Sequence, residues 1–452
     1  FGSRFWFLIS FSHFFVVEIS ESMAHKSWII VFLFGLMMVA MLWPASRRRQ
    51  RLDKASISKR LRLQEVGSEG QPVHRSRIAY LMLFPEEEYP LARCLDNSMA
   101  GYYLRRGSET KRFLIFLEGG GWCYDQSCTP TEAGTIADCK SRSATELGSS
   151  KNWGRHQEDW WLTGIMSSDY ASNPVFYNWT TILVPYCDGA SFTGNSSKGG
   201  LQFRGSMILE ALIADLKKKT DISEAVEVVV AGRSAGASAV YYHIDKMAAM
   251  LSRPKGTVKG IADAGFFLNS LNKDGIDCWP DQMMSLWSTA GLYKDLHQPC
   301  LQKFGAGQEW KCLFAEFFAE SIETPMFIVN SMYDTSELTY TLGLACCPGR
   351  CHFGTPHCNA VDKSMFDHLR TGHEKAWAPV AHKPGNGIWA ISCMDHTLTW
   401  EHWTSPKWEV PSGSKTTAAV AVAKWLAGED VHIQDAVPFP ENRGCSDHNL
   451  VS

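Results

Sequence analysis

The chain has 452 residues, 45% of them hydrophobic, which is enough to bury a large core. Its formal net charge of −3 leaves no basic surplus of the kind a nucleic-acid binder carries. Fourteen cysteines, spread from Cys94 to Cys445, suit disulfides in an oxidising compartment better than a set of reduced, buried thiols.

In chain order, residues 1–22 read as upstream translated or disordered sequence, because Met23 can serve as a start. Residues 23–45 read as a signal peptide or signal anchor. Their apolar stretch, 27–43, carries no charge and is long for a signal core but short for a full span. Arg47, Arg48, Arg49 and Arg51 follow it and oppose a luminal orientation by the positive-inside rule, whereas the cysteines favour one. The cysteines carry more weight, so the protein is expected to be secreted or luminal, with membrane anchoring through 27–43 as the alternative. Residues 46–75 are basic and polar and read as a stem. Residues 76–452 contain no internal repeat and read as one domain, expected to be a monomer.

Short apolar runs at Arg112–Leu117, Thr180–Pro185, Val226–Ala231 and Pro325–Asn330 fit strands buried on both faces. Helical spacing marks Ser206–Thr220, Ala235–Leu251 and Ser414–Leu426. Strands alternating with helices predict an α/β fold: a mostly parallel, α/β-hydrolase-like sheet covered by helices on both faces, with disulfide-rich loops.

The first strand runs into Glu118-Gly119-Gly120-Gly121-Trp122-Cys123. A phosphate-binding loop would continue with Lys-Ser/Thr; this one continues with Trp-Cys. It fits an oxyanion loop, whose glycines let backbone N–H groups approach a substrate carbonyl. The expected donors are the N–H groups of Gly120, Gly121 and Ala235. Two N-x-[ST] sequons, at Asn178 and Asn195, are candidate glycosylation sites.

The sharpest local signal is strand, then Gly232-Arg233-Ser234-Ala235-Gly236, then helix. A serine on such a turn projects its hydroxyl from the sheet, and the helix N-terminus behind it favours developing negative charge. Ser234 is therefore the expected nucleophile. In this order of elements an acid and then a histidine should follow. Asp334, beyond Pro325–Asn330, is the preferred acid, and Asp263 is its rival. His352, His357, His368, His373, His382, His396 and His402 can supply the base. Position favours His396, which lies beyond another apolar run and beside Cys393, over His402 and His382.

The stretch 341–361 reads as a loop insertion fixed by disulfides. Its Cys346, Cys347, Cys351, His352, His357 and Cys358 are zinc-ligand types but lack paired C-x-x-C spacing. No metal and no cofactor is expected.

Taken together, LEGGGWC, NPVFYNWTTILVPYCDGASFTGN, GRSAGASA, DAGFFLN, NSMYDTSEL and SCMDH resemble the pectin acetylesterase family, which also includes the Notum carboxylesterases. The resemblance spans roughly residues 80–440. By matching positions it implies Ser234, Asp334 and His396 as a catalytic triad. The glycine loop is more similar to the acetylesterase form than to the Notum form, in which tryptophan stands at the position of Gly121. Arg233 and Asp395 depart from the family pattern. Both add charge beside the site, and Asp395 could compete for the imidazole. The resemblance implies a serine esterase acting through an acyl-enzyme, with an O-acetyl group of a pectin-like polysaccharide as the expected substrate. A fatty-acylated protein is the second possibility and would need an apolar pocket involving Trp122 and Phe267. A catalytically silent binding protein or scaffold is the third.

Overall fold

Each predicted strand run forms part of one ten-stranded sheet. The computed structural model describes residues 77–158, 162–291, 296–344, 359–438 and 441. The apolar run 27–43 and the cysteine- and histidine-bearing stretch 345–358 lie outside the described residues.

Among the described residues the strands are, in chain order, β1 (Ala79–Leu83), β2 (Gly101–Arg105), β3 (Glu109–Leu117), β4 (His156–Gln157), β5 (Trp179–Val184), β6 (Ser196–Lys198), β7 (Leu201–Phe203), β8 (Glu227–Arg233), β9 (Val258–Asp263), β10 (Met326–Ser331), β11 (Gly387–Ile391) and β12 (His432–Gln434). β6 and β7 form a separate pair, and the large sheet runs β12-β11-β10-β9-β8-β3-β5-β2-β1-β4. From β12 to β5 all neighbours are parallel. β2, β1 and β4 extend the sheet in antiparallel fashion.

The central strands are continuous apolar runs because both of their faces are covered. Phe113, Ile115 and Leu117 of β3 and Val228 and Val230 of β8 pack into one core. The intervening Leu114, Phe116, Val229 and Ala231 pack into a second core on the opposite face, as the period-2 geometry of a strand requires. The first core is closed by the helices α2 (Gly205–Lys219), α3 (Ala235–Leu251), α4 (Cys278–Ala290) and α6 (Ala360–Ala381). The second is closed by α8 (Ala418–Leu426) and by Trp403 and Trp408. Among the described residues the remaining α-helices are α1 (Glu132–Arg142), α5 (Gln298–Phe304) and the short α7 (Leu398–Glu401).

Among the described residues four disulfides join Cys94 to Cys187, Cys123 to Cys139, Cys128 to Cys278 and Cys300 to Cys312. Cys393 is also disulfide-bonded. Among the described residues no helix is long and apolar enough to cross a membrane.

The parallel strands all end at the same edge. The loops that follow β3, β8, β9, β10 and β11 therefore gather there, which is where parallel α/β sheets bind ligands.

Candidate active site

Ser234 occupies a one-residue turn between β8 and α3. Its φ of 52° and ψ of −125° form a combination costly for a residue with a Cβ. The surroundings enforce it. Ser234 N–H donates to the Asp263 carbonyl at 2.8 Å, and the Ser234 carbonyl accepts from Ala237 N at 2.9 Å and Ser238 N at 3.0 Å. The turn is also tight enough to need glycine on both sides. A Cβ at Gly232 would stand 2.3 Å from the Gly236 carbonyl oxygen, and one at Gly236 would stand 2.1 Å from that of Leu117. The strand-to-helix elbow thus follows from the two glycines, and the serine side chain is left at the strand edge.

β3 pairs with β8 up to Leu117 and Gly232, so the glycine loop emerges directly beside the elbow. Gly120 and Gly121 both have positive φ, 148° and 65°. Among the described residues no backbone carbonyl accepts from the N–H of Gly120, Gly121 or Ala235. Ala235 opens α3, where N–H groups have no partner within the helix.

Asp334 follows β10 and His396 follows β11, on neighbouring parallel strands. His396 Nδ1 lies 2.8 Å from Asp334 Oδ2 and 2.9 Å from Oδ1. The carboxylate is almost completely buried and also accepts from Ser336 N at 2.8 Å. Burial opposes charging of the His396 imidazole, but the Asp334 carboxylate overcomes this and holds its pKa above the ordinary value. Ser234, His396 and the three glycines line one cavity of about 550 Å³. A recess of about 680 Å³ at the far end of α3 contains none of the predicted site residues.

The rival residues have other partners. Asp263 accepts from Leu398 N at 2.9 Å and Thr399 N at 2.7 Å, and burial pushes its pKa up to about 6. Its side chain thus grips the loop just after His396 while its carbonyl holds Ser234. His402 Nε2 lies 2.6 Å from Asp395 Oδ2, and its ring stacks on Trp408 at 3.6 Å. Asp395 is engaged there and with the His396 N–H, so it does not displace Asp334 from the imidazole. His373 is buried against Glu337, while His368 meets the Ser270 hydroxyl. His382 packs edge-on to His432. His352 and His357 lie outside the described residues, as do all the zinc-ligand types of the predicted insertion.

Trp122 and Phe267 also line the cavity, their ring centroids 5.1 Å apart. Trp279 completes this wall, 5.3 Å from Trp122, and Tyr124 backs it. Sequence reasoning missed Trp279, although the cysteine before it, Cys278, is tied to Cys128 just beyond the glycine loop. It also missed Glu337, whose Oε1 accepts from Leu268 N at 2.8 Å and so fixes the turn that carries Phe267. Burial raises the Glu337 pKa, and neighbouring His373 partly offsets this. The signal available was a Glu three residues after Asp334, close enough for its own N–H to meet the Asp334 carboxylate. Arg233 pairs with Glu118 at 3.3 Å and lies over the Trp400 ring at 3.9 Å.

Residues 75–446 match the family model described as pectinacetylesterase. The chain is 31% identical over 377 residues to Pectin acetylesterase 5 of Arabidopsis thaliana, a match covering 79% of this chain and 83% of that protein. It is 30% identical over 390 residues to Pectin acetylesterase 4 of the same plant, covering 82% and 89%. It is 34% identical over 371 residues to the palmitoleoyl-protein carboxylesterase notum2 of Xenopus laevis, covering 79% and 69%.

Proposed function

The chain belongs to the pectinacetylesterase family, which makes it a serine carboxylic-ester hydrolase, and we propose that it removes O-acetyl groups from a pectin-like polysaccharide using Ser234, His396 and Asp334. The observation that carries this reading is His396, which lines the same cavity as a serine held at positive φ and is backed by the buried Asp334 at 2.8 Å.

In this mechanism Ser234 Oγ attacks the acetyl carbonyl carbon as its proton passes to His396 Nε2. Asp334 accepts the Nδ1–H, which fixes the tautomer and stabilises the imidazolium. The carbonyl oxygen becomes an oxyanion facing the N–H groups of Gly120, Gly121 and Ala235. Collapse breaks the bond to the sugar oxygen, which takes the proton from His396. Water then repeats the sequence on the acetyl-serine and releases acetate.

Neutral imidazole is the working form. Because the folded-state pKa of His396 is raised, kcat/KM falls as pH drops through a value above the ordinary imidazole pKa of about 6.5. A pH profile on p-nitrophenyl acetate with an acid limb centred below that value would contradict the assigned base.

Gly121 offers a local test of the donor set. A Cβ there meets nothing within 4 Å, so a side chain would project into open space, and φ of 65° disfavours it besides. Gly121→Val is expected to lower kcat on the order of 10²-fold. Unchanged kcat would remove Gly121 from the donors.

The aromatic wall of Trp122, Phe267 and Trp279 is closed by ring-to-ring contacts, which suits a short acyl group. The notum2 likeness supplies the second reading, a fatty acyl group on a protein. A chain-length series of p-nitrophenyl esters separates them: acetate is expected to be preferred, and preference for octanoate would favour the second. The disulfides support residence in the secretory pathway or outside the cell. Of the two sequons, Asn195 is exposed, whereas Thr180 of the Asn178 sequon is buried in β5, so Asn195 is the better glycan acceptor.

A further inference from the structure

The peptide between Gly120 and Gly121 has to present its N–H to the cavity, and glycine is the residue least able to hold one orientation unaided. What holds it comes from α1. Arg142, in the last turn of that helix, donates from Nη2 to the Gly120 carbonyl at 2.7 Å. The same guanidinium donates from Nε to the Leu147 carbonyl at 3.2 Å. The Leu147 side chain in turn lies on the Gly120 Cα, since a Cβ there would stand 2.8 Å from Leu147 Cδ2. Behind it the guanidinium sits 5.1 Å from the centroid of the buried Tyr186 ring.

In a trans peptide the C=O of one residue and the N–H of the next point in opposite directions. Arg142 is not among the residues lining the cavity, whereas Gly121 is. A carbonyl drawn toward Arg142 therefore turns the Gly121 N–H away from that guanidinium, and Gly121 lines the cavity that Ser234 also lines. The Cys123–Cys139 disulfide anchors the following residues of the loop to the same helix, so α1 holds the loop at both points.

We infer that Arg142 is the positioning residue of the oxyanion loop, setting the orientation of the Gly120–Gly121 peptide in the ester hydrolysis reaction. This rests on the reading of Ser234 and the glycine loop given above. Arg142 touches no reacting atom. Its contribution is realised when charge develops on the carbonyl oxygen, so it belongs to kcat and not to KM.

The test compares the full chain with its Arg142→Ala, Arg142→Gln and Ser234→Ala variants on p-nitrophenyl acetate. Arg142→Ala is expected to lower kcat about 10- to 100-fold, less than or comparable to outright removal of one donor, with KM within about threefold of the original. Guanidinium chloride at tens of millimolar is expected to restore several-fold of the lost kcat in Arg142→Ala and to do nothing for the unmodified protein or Ser234→Ala. A purely structural defect would not be rescued in this way. If Arg142→Ala does not fold, Arg142→Gln carries the comparison, because glutamine is shorter, lacks the charge and cannot reproduce the guanidinium fork that meets the Gly120 and Leu147 carbonyls; a kcat loss of about tenfold is expected. Unchanged kcat, a loss confined to KM, or absence of rescue in a folded Arg142→Ala protein overturns the inference. An active Ser234→Ala variant would instead overturn the reading of the site itself, whereas an inactive one beside an unimpaired Arg142→Ala protein sinks the role of Arg142 alone.

Discussion

Ser234→Ala is expected to lower kcat on p-nitrophenyl acetate by at least about 10⁴-fold, equivalent to about 5.4 kcal/mol of lost transition-state stabilisation. The substitution removes the only atom proposed to bond to the acyl carbon and disturbs little else. Ser234 is held in its turn through its backbone N–H and C=O, which alanine retains. Alanine also has a Cβ, so it meets the same strain at φ 52° that serine already bears. The Asp334–His396 pair and the glycine loop remain in place, so thermal stability and KM should change little. A residual rate of about 10³–10⁴ over water is expected from the remaining donors and from substrate positioning. Steady-state kinetics and a pre-steady-state burst check this: the burst of p-nitrophenol, where the parent shows one, should vanish. Near-parental turnover by a homogeneous variant would mean that another group attacks the ester.

The central sheet was legible because β3, β5, β8 and β10 each contain a buried apolar core, at 113–117, 182–184, 228–231 and 326–329. β1 is buried unevenly along its length and β2 ends in the buried Arg105, so neither has that signature, and sequence reading passed over the antiparallel edge. α6 was missed for a different reason. Its composition is polar and it contains Pro379, yet its start was announced by the Asn359–Asp362 capping box and its inner face by Phe366, Leu369, His373, Trp377 and Val380 at helical spacing.

The residues proposed as nucleophile, acid and base, Ser234, Asp334 and His396, could be picked from the sequence because chain order and strand position constrain the choice. Their supports could not, because each is a contact between distant segments. Asp263 looked like a rival acid, and its actual place, between the elbow and the loop after His396, depends on β9 lying between β8 and β10. The two charged departures also found partners. Arg233 pairs with Glu118 and lies over Trp400, and the Asp395 carboxylate meets the His402 ring at 2.6 Å. The register of β3 and β8 brings Arg233 to Glu118, whereas Asp395 and His402 meet within one segment, seven residues apart.

Asp334→Asn is the sharper test of the mechanism, because it keeps the shape of the side chain and changes only its charge and hydrogen-bonding sense. The carboxylate now accepts from His396 Nδ1 and from the N–H groups of Ser336 and Glu337. An asparagine can satisfy those two N–H donors with its oxygen and turn its amide N–H₂ toward the imidazole. Nδ1 would then become the acceptor, the proton would move to Nε2, and the atom proposed to take the Ser234 proton would no longer be free. A kcat loss of about 10³- to 10⁴-fold is expected, with little change in KM. The acid limb of the profile should also move. Burial lowers the His396 pKa and Asp334 is the foremost group raising it, so without that charge the midpoint should fall to lower pH. These two effects separate the proposed role from loss of packing, which would reduce activity without moving the limb downward. Activity within tenfold of the parent, with the limb unmoved, would show that Asp334 neither sets the tautomer nor tunes the base. Asp263, which also holds charge near this imidazole, would then be the carboxylate to replace next.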